Sequence, residues 1–207
     1  PTGITFNPDG TKMFITGIDT DKILQYNLTT AFDVTSAALE KSVQISAQQN
    51  KPQDVKFNSD GTVIFILGLG TAGSGGGAAA VDGIHRWSLS TPYDIGSLVV
   101  TDNDFTDLGL SAPRGLAFNN DGTKMFVINQ TTKLVTEYNL STPYNPDTKT
   151  ATNTLTNNTT GGQFHQGLGF NADGTKMFVV KGKAATTGNE IDEYALSTAF
   201  DISSSSA

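Results

Sequence analysis

The side chains equipped for chemistry are few. The two histidines are His85, in "GIHRWSL", and His165, in "QFHQGLGF", and neither belongs to an H-E-x-x-H zinc pattern. There is no cysteine, which removes thiolate nucleophiles, cysteine metal sites and disulfides together. No G-x-S-x-G nucleophile elbow occurs. Carboxylates gather in "GIDTDK" (Asp19, Asp21) and "TDNDFTD" (Asp102, Asp104, Asp107), hard oxygens of the kind Ca²⁺ takes. Neither stretch has the D-x-[DN]-x-[DN]-G spacing, so both read as solvated loops. His85, Arg86 and Trp87 stand side by side, a cation next to an indole that could hold a sugar or an anion. Trp87, however, takes the place of a repeated tyrosine and reads as core. No catalytic residue, metal or cofactor is expected on these grounds.

The elements that must position these groups are written in a repeat. "FNPDGTKMF" at Phe6 returns as "FNSDGTVIF" at Phe57, "FNNDGTKMF" at Phe118 and "FNADGTKMF" at Phe170, spaced by 51, 61 and 52 residues. A second mark recurs out of phase: "YNLTTAFD" at Tyr26, "WSLSTPYD" at Trp87, "YNLSTPYN" at Tyr138 and "YALSTAFD" at Tyr194. Between the marks lie short β-branched and aromatic runs such as "GITF", "KMFIT", "KILQYNL" and "SVQIS", which predict four strands, A to D, in each unit. "NPDG" is a hairpin sequence. Pro8 presets the first turning residue, Asp9 tolerates the second and Gly10 takes the left-handed conformation. In "LSTPYD" the hydroxyls and the carboxylate can bond local backbone, and the aromatic (Phe32, Tyr93, Tyr144, Phe200) covers the turn. The methionines, Met13, Met125 and Met177, fall at one repeat position and read as packing.

Four-stranded antiparallel units of this length predict an all-β fold, a β-propeller. The repeats run over 1–51, 52–112, 113–164 and 165–207, within a single propeller domain or a segment of a larger ring. Aligned on the repeat, the last unit ends before its strand D, so fifteen strands are expected. A chain of 207 residues with 37% hydrophobic content can bury a core. The net charge of −7 argues against nucleic acid and anionic lipid as partners, and no apolar run is long enough to insert in a membrane.

The pattern P-x-G-[IL]-x-F-N-x-D-G-T-K-M-F-[IV], followed by an aromatic and L-S-T-[AP]-[FY]-D, resembles the propeller repeats of the surface-layer and lactonase-like class. It is especially similar to tandem arrays in marine bacterial exported proteins and phage structural proteins. The resemblance implies an extracellular, cell-surface or virion location.

Variation is concentrated at one end of each unit. The B–C connections are lengthened in unit two ("GLGTAGSGGGAAAVDG", 68–83) and unit four ("KGKAATTGNE", 181–190), while the A–B and C–D turns are uniform. In an up-and-down blade the B–C loops and the D–A connections share an end. Gln53, Arg114, His165 and Gln166, from successive D–A connections, are therefore the expected ligand-binding residues. The sequence points to a non-enzymatic recognition or adhesion module that binds a glycan or protein through this end. A structural scaffold that self-associates or packs with other assembly subunits is the alternative. A lactonase-like hydrolase is a second alternative, set lower because the channel positions Thr5, Lys56, Ala117 and Gly169 offer no acidic ring.

Overall fold

The four Asn-x-Asp-Gly-Thr corners build the same hairpin. In the first, Asn7 Oδ1 accepts the Lys12 N–H at 2.8 Å, and Asp9 Oδ1 accepts both the Thr11 N–H (3.0 Å) and the Thr11 hydroxyl (2.6 Å). Gly10 turns at φ 70°, with Gly61, Gly122 and Gly174 at 73°, 72° and 72°. The geometry is unchanged where Ser59, Asn120 or Ala172 replaces Pro8, so the asparagine, the aspartate and the threonine supply the fixed bonds and the proline is dispensable. The second mark closes over this corner. Phe32, Tyr93, Tyr144 and Phe200, expected to cover the turn after strand C, have left-handed backbones (φ 52–60°) and lay their rings on the glycines of the A–B hairpins. Asp33, Asp94, Asn145 and Asp201 then cap short 3₁₀ turns that lead into the fourth strand of each unit.

The computed structural model describes residues 1–70, 82–156, 163–183 and 189–206, apart from the side chains of Asp102, Asn103, Gln163 and Lys183. Most of the second B–C insertion and the middle of the fourth lie outside the described residues. The described residues form four antiparallel sheets, each with its strands in chain order. The first holds β1 (Gly3–Phe6), β2 (Lys12–Gly17), β3 (Lys22–Leu28) and β4 (Ala37–Gln44). The second holds β5 (Pro52–Phe57), β6 (Val63–Gly68), β7 (Gly83–Leu89) and β8 (Leu98–Asp107). The third holds β9 (Pro113–Phe118), β10 (Lys124–Asn129), β11 (Leu134–Leu140) and β12 (Lys149–Thr156). The fourth holds β13 (Gln163–Phe170), β14 (Lys176–Lys183), β15 (Glu190–Leu196) and β16 (Ser205–Ser206). These are four propeller blades, in agreement with the repeat. The expectation that the last blade lacks strand D is corrected. The 3₁₀ turn Ile202–Ser204 sends the chain back, and Ser205 and Ser206 pair with Leu196 and Ala195.

The chain divides into two compact units, Pro1–Leu110 with the first two blades and Ser111–Ala207 with the last two. In the first unit, Phe14 and Ile23 of blade one pack on Val55, Ile64, Ile66 and Trp87 of blade two. In the second, Phe126, Ile128 and Val135 of blade three pack on Leu168, Met177, Val179 and Tyr194 of blade four. The second strand of a blade carries apolar residues on both faces, so "MFIT" and "MFVI" do not alternate. Inner strands approach until only glycine fits: a Cβ on Gly3 would lie 2.6 Å from Asp54 Cα, and one on Gly115 would lie 2.8 Å from Gly167 Cα.

Polar bonds secure the same interface in both units. Gln25 Oε1 accepts the Ile95 N–H at 2.9 Å, and at the equivalent position Glu137 Oε2 accepts the Ile202 N–H at 3.0 Å. Lys12 Nζ donates to the Tyr93 carbonyl (3.3 Å) and Lys124 Nζ to the Phe200 carbonyl (2.8 Å). Among the described residues, no helix is long and apolar enough to cross a membrane.

Candidate functional site

The four predicted ligand-binding residues have different surroundings. Gln53, in the first unit, is buried, and its Nε2 donates to the Lys51 carbonyl at 3.0 Å, a local bond that shapes the start of β5. The other three belong to the second unit. Arg114 is half-buried, with Nε on Gln130 Oε1 at 2.8 Å. His165 and Gln166 straddle a bulge in β13, where pairing jumps from His165↔Lys181 to Gly167↔Val180. The bulge separates them: His165 is fully buried and Gln166 is exposed.

His165 is the unusual member. Its exposure is 0%, and neither ring nitrogen has a hydrogen-bond partner. Buried polar atoms are normally satisfied, so an orphaned imidazole marks either strain or a place where a ligand completes the bonding. Burial lowers its pKa, and the ammonium groups of Lys133 and Lys181 add to this while Asp192 opposes it. The ring is therefore neutral at physiological pH, with one N–H donor and one acceptor nitrogen.

Across the strand pair from His165 stands Lys181, on the same side of the sheet. This lysine is only 5% exposed, and Nζ reaches Asp192 Oδ2 at 2.8 Å and Glu190 Oε2 at 3.1 Å. Burial alone would push the ammonium pKa down, but the two carboxylates outweigh it and hold it above the ordinary value. Lys181 and Asp192 also line an open cleft of about 650 Å³, together with Leu155 and Thr156 of blade three and Tyr194 and Ser205 of blade four. Lys181, Asp192 and Tyr194 thus give a cleft large enough for a small ligand a polar wall, and His165 is enclosed opposite Lys181 without lining it.

Of this group the sequence pointed only to His165. Lys181 stands where the other repeats have Gly17, Gly68 and Asn129, and Asp192 where they have Leu24, His85 and Thr136. A charged residue at a repeat position otherwise filled by uncharged ones was the signal that could have found both.

Other sequence candidates do not converge. Strand alternation puts Arg86 on the opposite face of β7 from His85 and Trp87, and Arg86 forms an ion pair with Asp104. His85 stacks on Trp87 with centroids 5.6 Å apart, and Trp87 Nε1 donates to the Val100 carbonyl at 3.1 Å, so the indole is core as expected. Asp102's side chain is outside the description, and Asp107 Oδ1 bonds the Gly109 N–H at 2.7 Å. Among the described residues, no three His, Asp or Glu side chains are grouped as a metal site.

Blades of this kind define a propeller, and comparison with known proteins agrees. No protein-family model matches the chain, and no curated protein sequence matches it. Solved structures do. A Bacteroides fragilis protein assigned as a 6-phosphogluconolactonase is similar at TM-score 0.56 and 13% identity, over 95% of this chain and 67% of its own. The periplasmic gluconolactonase of Pseudomonas aeruginosa is similar at TM-score 0.53 and 15% identity, over 95% of this chain and 53% of its own. Hydrazine synthase of Kuenenia stuttgartiensis is similar at TM-score 0.55 and 13% identity, over 94% of this chain and 46% of its own. The chain thus spans about half the length of the latter two. At such identities the likeness is one of fold.

These comparisons correct one expectation. The lack of catalytic motifs predicts a non-enzymatic module, yet two of these structures carry the names of lactonases, which point to a hydrolase. A propeller site is assembled from separate blades, so a missing local motif is no ground for excluding catalysis.

Proposed function

We propose that the chain recognises a carbohydrate or carbohydrate acid at the end bearing the B–C loops and D–A connections, with the cleft beside His165 and Lys181 as its principal site. The observation that carries this reading is the fully buried His165 with two unpartnered ring nitrogens. A neutral imidazole offers one donor and one acceptor, which is what a sugar hydroxyl can satisfy. Lys181, with its Asp192 and Glu190 partners, adds polar groups that can bond hydroxyls, and Tyr194 an aromatic edge. Arg114, Gln166 and Gln53 stay in the proposal as residues near the starts of the first strands β9, β13 and β5. The names of the similar lactonases support a sugar-acid ligand, and their periplasmic member supports an exported setting; a cell-surface or virion location is proposed on the repeat resemblance alone. Nucleic acid is not proposed as a partner, given the charge of −7.

The test is titration of gluconate, glucono-lactone and a panel of mono- and oligosaccharides against the wild type, with lactone opening followed in parallel. Binding that weakens more than about tenfold in both His165→Ala and Lys181→Met, with melting temperatures retained, is the expected result. Lactone opening that requires the same two residues would make the site hydrolytic. No binding of any sugar, or binding indifferent to both substitutions, would refute the assignment.

A further inference from the structure

The interface between neighbouring blades is seen once inside each compact unit, and blades four and one carry its two halves on exposed outer faces. The donor half is set by four repeat positions. In blade one these are Lys12, Phe14, Ile23 and Gln25, and in blade three Lys124, Phe126, Val135 and Glu137. Phe14, Ile23, Phe126 and Val135 are all buried at 0%. Blade four has the same set, Lys176, Phe178, Ile191 and Glu193, on the face turned away from blade three. There Ile191 is 68% exposed and its neighbour Val180 41%. Lys176 and Glu193 already form the 2.7 Å ion pair that Lys124 and Glu137 form at 2.8 Å in the buried interface.

The acceptor half shows the converse. In blade two, Val55, Ile64, Ile66 and Trp87 are covered, with exposures of 0–1%. Their counterparts in blade one are Ile4, Met13, Ile15 and Tyr26, and here Ile4 is 50% exposed. Ile15, Leu24 and Tyr26 line an open groove of about 260 Å³ on this face. The polar fasteners are likewise duplicated. Ile95 and Ile202 donate their N–H groups to Gln25 and Glu137, and their counterpart Val34 is 55% exposed. Tyr93 and Phe200 offer carbonyls to Lys12 and Lys124, and their counterpart Phe32 is 59% exposed.

From this we infer that the outer face of blade four in one copy seats on the outer face of blade one in a second copy of this chain. The contact repeats the blade-to-blade interface: Ile191 and Phe178 would cover Ile4 and Ile15, Glu193 would accept the Val34 N–H, and Lys176 would reach the Phe32 carbonyl. The pairing is heterologous, since each chain carries one half of each kind, so the assembly either closes or grows by addition. Exposed apolar sheet faces rimmed with charge are the ordinary mark of such a surface. The inference uses neither His165 nor Lys181; Ile191 and Glu193 also line the cleft, and the Ile4→Asp variant, on a different blade, tests association apart from the sugar-binding reading.

Sedimentation velocity over a range from low micromolar to near-millimolar provides the test. We expect association that strengthens with concentration and that Ile4→Asp or Ile191→Asp weakens more than about tenfold, since either would bury an unpaired charge. Both side chains are exposed in the single chain, so melting temperatures should be unchanged. Mixing the two variants decides the geometry. The Ile4→Asp chain retains a sound blade-four face and the Ile191→Asp chain a sound blade-one face, so the mixture should form a one-to-one dimer that neither variant forms alone. A wild type that stays monomeric throughout, or a mixture that does not dimerise, would overturn the inference.

Discussion

At the scale of single residues, the hairpin glycines show how closely the two sequence marks are coupled. A Cβ on Gly122 would lie 2.2 Å from Tyr144 Cδ2, and the backbone there is left-handed at φ 72°. Gly122→Ala should therefore cost about 2–3 kcal/mol, combining backbone strain with displacement of the ring. In the double variant with Tyr144→Ala the steric part disappears, and Gly122→Ala should add only about 1 kcal/mol, the cost of the left-handed backbone itself. Chemical denaturation of the four proteins of that cycle measures both quantities. Equal costs with and without the ring would show that the aromatic does not rest on the glycine.

At the scale of elements, stability depends on side chains that leave one blade to satisfy backbone in the next. Glu137 is 1% exposed, and it bonds the buried Ile202 N–H while pairing with Lys124. Glu137→Gln copies Gln25 of the first unit, retains an acceptor oxygen and should cost less than about 1 kcal/mol. Glu137→Leu orphans a buried N–H and removes the partner of a half-buried lysine, so about 2–4 kcal/mol is expected. Urea denaturation distinguishes the two, and a leucine variant as stable as the glutamine variant would deny the fastener its role. The strands and corners were legible in the sequence because hairpin chemistry is local: "NPDG" and its copies carry donor, acceptor and glycine within five residues. The fasteners were not legible, because Glu137 and Ile202 are brought together only by the packing of blade three on blade four.

At the scale of the whole molecule, pH should act in two stages. Burial lowers the pKa of His85 to about 4, below the ordinary 6.5, and lowers that of His165 as well. The unfolded chain then binds protons that the folded chain refuses, so stability is full above the ordinary histidine value and declines as pH falls from 6.5 toward 4. For His85 the loss between pH 6.5 and 5 should be no more than about 2 kcal/mol. His85→Leu, which installs the residue of the first repeat, should flatten this part of a melting-temperature profile without abolishing it, since His165 remains. Asp9, Asp60, Asp121 and Asp173 have their pKa values lowered chiefly by the threonine hydroxyl bonds of the corners. Their contribution persists above the ordinary carboxylate value and is lost only as pH falls through the lowered ones, giving a second, steeper decline in strong acid. A profile flat from pH 7 to 4 would contradict the first stage.

The amino-acid sequence by itself determined the four repeats, the strands of the first three blades and the corner chemistry, because hairpin signals lie within a few positions of one another; it missed the two-residue fourth strand of the last blade. It also singled out His165, expected on a D–A connection, which the structure places inside β13. Only the tertiary structure decided that His165 is enclosed with unpartnered nitrogens opposite Lys181, that Asp192 and Tyr194 complete the cleft, and that blades one and four each present an interface half to solvent. Those facts depend on strand register and on the packing of one blade against the next, which join residues far apart in the chain.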